Sequence, residues 1–213
     1  MNAFFLTNDS PGTDAAAAAS AAFSSCSSLY SNYTFSESYP GSASLMNASY
    51  ARTLLTHAEQ LYTFAVNATG GQTTYQNSVP AVSQSYPSSG YGDDLTLAAL
   101  FLAWASGSVT FYQEAEQFYT KYRIAGQNSV FNWDSKSPGI PILFAQINQQ
   151  TSSFGGNLTA YQVESERYLD NIINKGGPGY LTGGQFHSVY CVRIFIVLQV
   201  DFFIILEILM KVV

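Results

Sequence analysis

Two kinds of helical pattern alternate along the first 174 residues of the chain. In the first kind, apolar or small residues occupy every face of the helix, as they do in 14–30, 93–106 and 140–147. In the second kind, apolar residues recur every three or four positions and polar residues fill the other face, as they do in 47–66, 110–124 and 159–174. Together the two patterns predict six helices, of which three are buried on all sides and three are amphipathic.

Local signals mark where some of these helices begin. Thr13 or Asp14 is suited to act as the N-cap of the first helix. Thr110 and Gln113 have the spacing of a capping box. Ser-Pro at 137–138 predicts a helix with a serine N-cap and proline at its first position.

The alternation of helix types predicts an architecture. Helices buried on all sides need a second layer around them, and amphipathic helices can supply that layer. We therefore predict an all-α fold in which αα-hairpins form a partial toroid with two concentric layers. A helical bundle is the alternative, although all its helices would carry an amphipathic stripe, and a repeat solenoid would show a fixed period that we do not find.

The last residues, 185–213, differ from the rest of the chain. They are dense in Ile, Val, Leu and Phe and almost free of Ser, Thr, Asn and Gly. Arg193, Asp201 and Glu207 interrupt the segment, so no apolar run of about 18 residues remains and a membrane span is disfavoured. We interpret 1–184 as a partial domain and 185–213 as an anomalous tail, with translated intron or a shifted reading frame as the hypothesis for its origin.

Composition and charge narrow the class of partner. Only 10% of the 213 residues are charged, the formal net charge is -6, and the Lys and Arg residues are scattered. No basic stripe is present to meet a phosphate backbone, so we predict no nucleic-acid partner. Hydrophobic residues make up 47% of the chain, which is enough to form a core.

Five Asn-X-Ser/Thr sequons favour a secreted, extracellular protein over a chance occurrence of these triplets in a chain rich in Asn, Ser and Thr. Their asparagines are Asn8, Asn32, Asn47, Asn67 and Asn157. Residues 1–10 have neither a basic start nor an apolar run, so the sequence as given opens without a signal peptide.

Cysteine and histidine are scarce, with two of each. Cys26 lies in the first predicted helix and Cys191 in the tail, and both a disulfide between them and two free thiols fit the sequence. No metal-ligand spacing occurs, so we predict no metal and no cofactor.

Five segments carry the likeness of one enzyme family. These segments are PGTDAAAAASAAF at 11–23, HAEQLYTFA at 57–65, SSGYGDDLTLAALFLAWASG at 88–107, VFNWDSKSPGIPILFAQI at 130–147 and GGPGYLTGG at 176–184. In wording, order and spacing they resemble consecutive landmarks of the endoglucanases of glycoside hydrolase family nine, which are cellulases. By this resemblance the chain is an internal fragment of a fungal-type member, covered from about residue 5 to residue 184.

The resemblance implies an (α/α)6 barrel of twelve helices, of which this chain supplies about six. It also implies an open cleft that binds cellulose or another β-1,4-glucan and hydrolyses internal bonds with inversion. Inversion needs a carboxylate that activates water and a carboxylic acid about 6.5–9.5 Å away that protonates the leaving oxygen. The family takes these groups from an Asp-Ala-Gly-Asp type motif and an Asn-Glu type motif, and neither occurs in this sequence. We therefore assign no catalytic residue and predict that this fragment itself is inactive.

Other ionisable residues have simpler structural interpretations. Asp93 and Asp94 are adjacent on a helix, so their side chains point about 100° apart and do not form a facing dyad. We expect them to cap the helix and place charge in its first turn. Asp134 and Lys136 are expected to organise the loop before the next buried helix, and His57 to lie on a helix surface.

Sugar binding is the better use of the remaining residues, because flat pyranose faces stack on aromatic rings. Tyr86 and Tyr91 precede one buried helix and Trp133 precedes another, so we nominate these three for glucan contact. Packing within the loops is the alternative for all three. Trp104, in an apolar helix, is expected in the core.

Three hypotheses of function follow. The first is an endo-1,4-β-glucanase by family, with this fragment inactive. The second is a non-catalytic carbohydrate-binding remnant. The third is a membrane-tethered helical interaction module that uses the tail.

Overall fold

The chain folds into helices joined by loops, in a computed structural model that describes residues 5–31 and 45–174. The helices are α1 (Thr13–Tyr30), α2 (Ala48–Asn67), α3 (Tyr75–Ser78), α4 (Gly92–Ser106), α5 (Val109–Lys121), α6 (Gly139–Gln150) and α7 (Leu158–Ile173). Short 3-10 turns occur at Pro80–Val82 and Ser152–Phe154. All six predicted helices are confirmed, and α3 is an additional single turn.

Helices α1, α4 and α6 form an inner layer, as the alternation of patterns predicted. Helix α4 packs against α1, α2, α5 and α6, which explains why apolar residues occupy every face of α4. Its side chains Leu95, Leu100 and Leu102 are fully buried, and Trp104 is 2% exposed, so its predicted place in the core is confirmed.

Small residues let α1 and α2 pack closely. The hydroxyl of Ser20 donates to the carbonyl oxygen of Ala58 (2.8 Å), and the hydroxyl of Ser27 donates to that of Ala51 (2.8 Å). A buried hydroxyl would be costly without such a partner. The Ala and Ser composition of α1 therefore suits a helix whose side chains reach the backbone of its neighbour.

Helices α2, α5 and α7 form an outer layer with one buried face each. Spacing in the sequence predicts a stripe of Leu54, Ala58, Leu61 and Ala65 on α2. Three of these are buried, whereas Leu61 is half-buried and the neighbouring Tyr62 is buried in its place, together with Ala51. Helix α7 packs on α6, and α5 packs on α4. This two-layer arrangement of three αα-hairpins confirms the predicted partial (α/α)6 toroid.

The inner helices all begin at one end of the molecule, which we call the front end. Lys136, just before α6, lies 2.9 Å from Asp94 in the first turn of α4, measured from Nζ to Oδ1. Tyr75 connects the start of α1 to the loop before α4. Its backbone N–H donates to Asp14 Oδ1 (2.8 Å) and its hydroxyl donates to the carbonyl oxygen of Tyr86.

The outer helices run in the opposite direction and begin at the other end, which we call the back end. There Asn47, which precedes α2, donates its backbone N–H to the carbonyl oxygen of Tyr30 at the end of α1 (2.9 Å). Asn148 in the last turn of α6 donates through Nδ2 to the hydroxyl of Tyr112 in the first turn of α5 (2.5 Å).

The predicted cap of α1 is wrong. Its N-cap is Gly12, and Thr13 and Asp14 lie buried in the first turn. Both side chains bond to the chain that follows α2. Thr13 Oγ1 accepts from the backbone N–H of Thr73 (3.0 Å), and Asp14 Oδ1 accepts from that of Tyr75.

The other two predicted helix starts need corrections as well. Helix α5 has Ser108 as its N-cap and no side-chain capping bond, so the capping box of Thr110 and Gln113 is wrong. Helix α6 begins at Gly139 with Pro138 as its N-cap, one residue later than predicted.

Within residues 5–31 and 45–174, no helix is long and apolar enough to cross a membrane. The tail at 185–213, Cys191 and the Asn32 sequon lie outside the described residues, and the predictions made for them stay predictions.

Candidate substrate-binding site

Two loops at the front end present a pair of exposed aromatic side chains. Tyr86, in the loop before α4, is 64% exposed, and Trp133, in the loop before α6, is 43% exposed. Their ring centroids are 5.5 Å apart and their planes are inclined by 88°, an edge-to-face arrangement. The structure thus brings together two residues that sequence reasoning nominated separately.

The loop that carries Tyr86 is held from the side of α3. The carbonyl oxygen of Tyr86 accepts the hydroxyl of Tyr75. The side-chain amide of Gln76 pairs with the backbone of Ser88, donating to its carbonyl oxygen (2.7 Å) and accepting from its N–H (3.2 Å). These bonds fix the backbone of the loop, while the ring of Tyr86 contacts Trp133 and stays largely exposed.

The loop that carries Trp133 turns around one asparagine. Asn132 Oδ1 accepts the backbone N–H groups of Asp134 (2.9 Å) and Ser135 (2.8 Å). Asp134 Oδ1 in turn accepts the backbone N–H of Ser89 (2.7 Å), which ties this loop to the loop of Tyr86. The expectation that Asp134 organises the loop is confirmed.

Lys136 joins the same loop to the first turn of α4. Its side chain is nearly buried, and its Nζ lies 2.9 Å from Asp94 Oδ1 and donates to the carbonyl oxygen of Trp133 (2.5 Å). Its backbone N–H donates to Asp93 Oδ2 (2.7 Å). Asp93 and Asp94 do lie in the first turn as expected, but neither caps α4, whose N-cap Tyr91 makes no side-chain capping bond.

Burial and charge act in opposite directions on this ion pair. Burial raises the pKa of Asp94 to about 7, although Lys136 acts to lower it. Burial alone would lower the pKa of Lys136, yet Asp94, Asp93 and Asp134 together raise it above its ordinary value. Lys136 therefore keeps its charge, whereas Asp94 is only partly ionised near neutral pH, because the charge of Lys136 offsets part of the effect of burial.

Tyr91 lies apart from the exposed pair. It is half-buried and packs edge-on against Tyr122, with ring centroids 5.8 Å apart. Both rings line a cavity of about 390 Å³ at the front end. Its wall also includes residues of the first turn of α4 and of the loops before α4 and α6, namely Ser89, Gly90, Gly92, Asp93, Ile124, Gln127, Ser135 and Ser137. The surface that Tyr91 offers to a ligand includes the wall of this cavity.

Most of the chain matches a known family of enzymes. Glycosyl hydrolase family 9 matches residues 2–196. The chain belongs to this family. The match passes residue 184, where we predicted the domain to end, and that boundary stays a prediction.

Relatives of this family 9 chain include plant and insect proteins. Endoglucanase 2 of Arabidopsis thaliana is 35% identical over 170 residues, which cover 79% of this chain and 30% of that protein. Endoglucanase 15 of Arabidopsis thaliana is 34% identical over 131 residues, 61% of this chain and 25% of that protein. The solved structure of an endoglucanase from the termite Nasutitermes takasagoensis, at pH 2.5, has a TM-score of 0.65 at 28% identity and covers 79% of this chain and 34% of that one. The family 9 chain thus spans between a quarter and about a third of these relatives, and the fungal type stays a prediction.

The carboxylates at the front end of this family 9 chain are engaged in structural contacts. Asp94 is 1% exposed and paired with Lys136, and Asp93 accepts the backbone N–H of Lys136. His57 is exposed on α2, with its Nδ1 3.2 Å from Gln60 Oε1, as expected for a helix-surface residue. Among the described residues, no group of three or more His, Cys, Asp or Glu is placed to hold a metal ion.

Sequence reasoning missed the supports behind the aromatic pair. Tyr75 and Gln76 gave no signal, because they lie in a segment that reads as a loop. Lys136 was assigned to its loop, but its bond to α4 joins positions 43 residues apart. A lysine among serines, in a chain with only 8 Lys and Arg, was the one available hint.

Proposed function

We propose that this chain is part of an endo-1,4-β-glucanase and that its front end forms part of the surface that binds a β-1,4-glucan. The exposed pair of Tyr86 and Trp133 carries the proposal, since apolar sugar faces stack on such rings. The neighbouring cavity and its hydroxyl and backbone groups offer hydrogen-bond partners for sugar hydroxyls. Membership of family 9 and the names of its relatives support the same substrate class.

We further propose that this chain alone does not hydrolyse glucan. Inversion needs two carboxyl groups across the sugar, with room between them for water. The family's two motifs are not in the sequence. The nearest carboxylates to the aromatic pair are bound to Lys136 or to backbone N–H groups.

A comparison of two proteins tests whether the residues that hydrolyse glucan lie outside this chain. The chain of 1–213 and the same chain extended by any neighbouring coding sequence are each assayed for reducing sugar released from carboxymethylcellulose. We expect activity only in the extended protein. Hydrolysis by the short chain would contradict the assignment of catalysis to residues outside it.

Binding without cleavage is the second candidate, and the same aromatic pair favours it. Isothermal titration with cellohexaose measures it directly. We expect Trp133→Ala to weaken binding about tenfold, which is about 1.4 kcal/mol. Tyr50→Ala, which removes an exposed tyrosine at the back end, is the matched control and should bind like the parent chain. Equal affinity in both variants would place the glucan elsewhere.

We also propose that the protein is secreted and carries N-linked glycans. Asn8, Asn47, Asn67 and Asn157 are all exposed, as an acceptor must be. Expression through a eukaryotic secretory pathway, followed by glycosidase digestion and mass spectrometry, tests this. Asparagine-linked sugar at these positions is expected, and a chain that leaves the cell with all of them unmodified would contradict the proposal. The hypothesis of a membrane-tethered module depends on 185–213, outside the described part.

A further inference from the structure

We propose that Lys136 is a positioning residue that holds Trp133 in place, so that the aromatic pair is formed before any sugar arrives. This inference rests on the proposed function, because it assigns Lys136 a role in the same glucan-binding surface. The residue itself, which is 6% exposed, does not touch the ligand.

Three contacts of Lys136 leave its loop little freedom. Nζ lies against Asp94 (2.9 Å) and donates to the carbonyl oxygen of Trp133 (2.5 Å), while the backbone N–H donates to Asp93 (2.7 Å). Asp93 and Asp94 belong to the first turn of α4, which is buried in the core. The backbone of Trp133 is therefore tied through one ammonium group to the most buried helix described.

Stability alone does not account for a lysine at this position. A buried ion pair is often no more stable than a well-packed apolar pair of similar size, because both charges lose their water. An apolar side chain, however, could not donate to the carbonyl oxygen of Trp133. The ammonium group has three donors and can serve the carboxylate and the carbonyl together. We infer that the ion pair serves to place the Lys136 ammonium where it can donate to the carbonyl oxygen of Trp133.

The backbone positions that carry the two rings are held by different residues. The effect of Lys136 on Trp133 can therefore be separated from the support of Tyr86. The carbonyl oxygen of Tyr86 is held by the hydroxyl of Tyr75, and that of Trp133 by Lys136. Loss of Lys136 should therefore loosen Trp133 while Tyr86 stays fixed. A ring that must be ordered on binding costs conformational entropy, so looser anchoring should weaken sugar binding.

Time-resolved fluorescence anisotropy of Trp133 tests the anchoring without any ligand. Trp104→Phe in the 213-residue chain leaves Trp133 as the sole tryptophan. In this background, Lys136→Met should increase the amplitude of nanosecond motion of the indole about twofold, as expected when a fixed side chain becomes mobile. Tm is measured in parallel, because Lys136→Met leaves the Asp94 carboxyl buried and unpaired.

A double variant separates positioning from stability. Lys136→Met with Asp94→Leu removes both charges, so Tm should recover toward that of the parent chain. Trp133 should nevertheless stay mobile, because its carbonyl oxygen still lacks the lysine donor. If the double variant shows the parent anisotropy at the parent Tm, Lys136 has only a structural role and the proposal is overturned.

Titration with cellohexaose links the anchoring to the ligand. We expect the double variant to bind about tenfold more weakly than the parent, within the range by which misplaced binding groups reduce function. Parent affinity in a double variant whose Trp133 is mobile would also overturn the proposal. If the parent chain itself does not bind cellohexaose, the proposed function fails, whereas the anisotropy comparison still decides whether Lys136 holds Trp133.

Discussion

At the scale of single residues, Asp94 should impose a distinctive pH dependence on stability. Burial raises its pKa from 3.8 to about 7 in the folded chain, against the opposing effect of Lys136 and with smaller repulsion from Asp93 and Asp14. Between these two values the folded state holds a proton that the unfolded state has released. The contribution of Asp94 to the free energy of unfolding therefore falls as pH rises from about 4 to 7, by at most about 1.4 kcal/mol per unit.

The difference between the parent chain and Asp94→Asn isolates this effect, because the other titrating groups are shared. Urea unfolding at a series of pH values should give a parent-minus-variant free energy that declines toward pH 7 and is level above it. A difference that rises with pH would mean that Lys136, and not burial, dominates the ionisation of Asp94.

Gly92 shows how one missing side chain shapes the site. A Cβ at this position would collide with the ring of Tyr122, whereas a Cβ at Gly90 would meet nothing within 4 Å. We expect Gly92→Ala to lower the free energy of unfolding by about 1–3 kcal/mol through overpacking. Gly90→Ala should cause no loss. Chemical denaturation of both variants checks the contrast, and equal losses would show that the close approach of Tyr122 is unimportant.

At the scale of the helices, two tyrosines join the outer helices α2 and α7 to the outer helix α5 between them. The Tyr62 hydroxyl of α2 donates to Glu114 (2.6 Å), and the Tyr161 hydroxyl of α7 donates to Glu116 (2.9 Å). Glu114 and Glu116 are two positions apart on α5, so they point to opposite sides and reach one neighbour each. Burial raises the pKa of both tyrosines, and they stay protonated donors.

Removal of either hydroxyl should therefore destabilise the chain. We expect Tyr62→Phe and Tyr161→Phe each to lower the free energy of unfolding by about 1.5–3 kcal/mol, as is typical of hydrogen bonds to a charged group. Tyr50→Phe, which alters an exposed tyrosine of α2, is the matched control. Urea unfolding of the three variants gives the comparison, and losses in Tyr62→Phe and Tyr161→Phe no larger than that in Tyr50→Phe would refute the prediction.

Helices were predictable from the sequence, whereas their ends and the contacts between loops were not. A stripe of buried positions is a local property, so Leu54, Ala58 and Ala65 could be assigned from spacing alone. Thr13 and Asp14 have the chemistry of caps, but they satisfy backbone groups about 60 residues away, which local propensity does not reveal. The nomination of Tyr86 and Trp133 likewise needed only the sequence. Their contact with each other and the residues that support their loops were visible only in the structure.

At the scale of the molecule, the two ends are separated by the length of the inner helices. Helix α4 has 15 residues, which is a span of about 22 Å. Asn47 and Asn157 are N-caps of outer helices and lie at the back end, with each Oδ1 accepting a backbone N–H. A glycan attached through Nδ2 leaves that oxygen free to cap the helix.

Glycans at the back end should therefore not disturb ligand binding at the front. We expect Ser49→Ala with Thr159→Ala, which removes both sequons and keeps both capping asparagines, to lose two glycans and to bind cellohexaose with parent affinity. Calorimetric titration of the secreted proteins checks this. A changed affinity would place the sugar-binding surface nearer to the back end.

The common direction of the inner helices has an electrostatic consequence. The backbone dipoles of α1, α4 and α6 point the same way, so their positive ends add at the front end. Acidic residues in the first turns of α1 and α4, namely Asp14, Asp93 and Asp94, oppose this potential. The carboxylates therefore offset part of the positive potential that the ends of α1 and α4 would otherwise present at the front end.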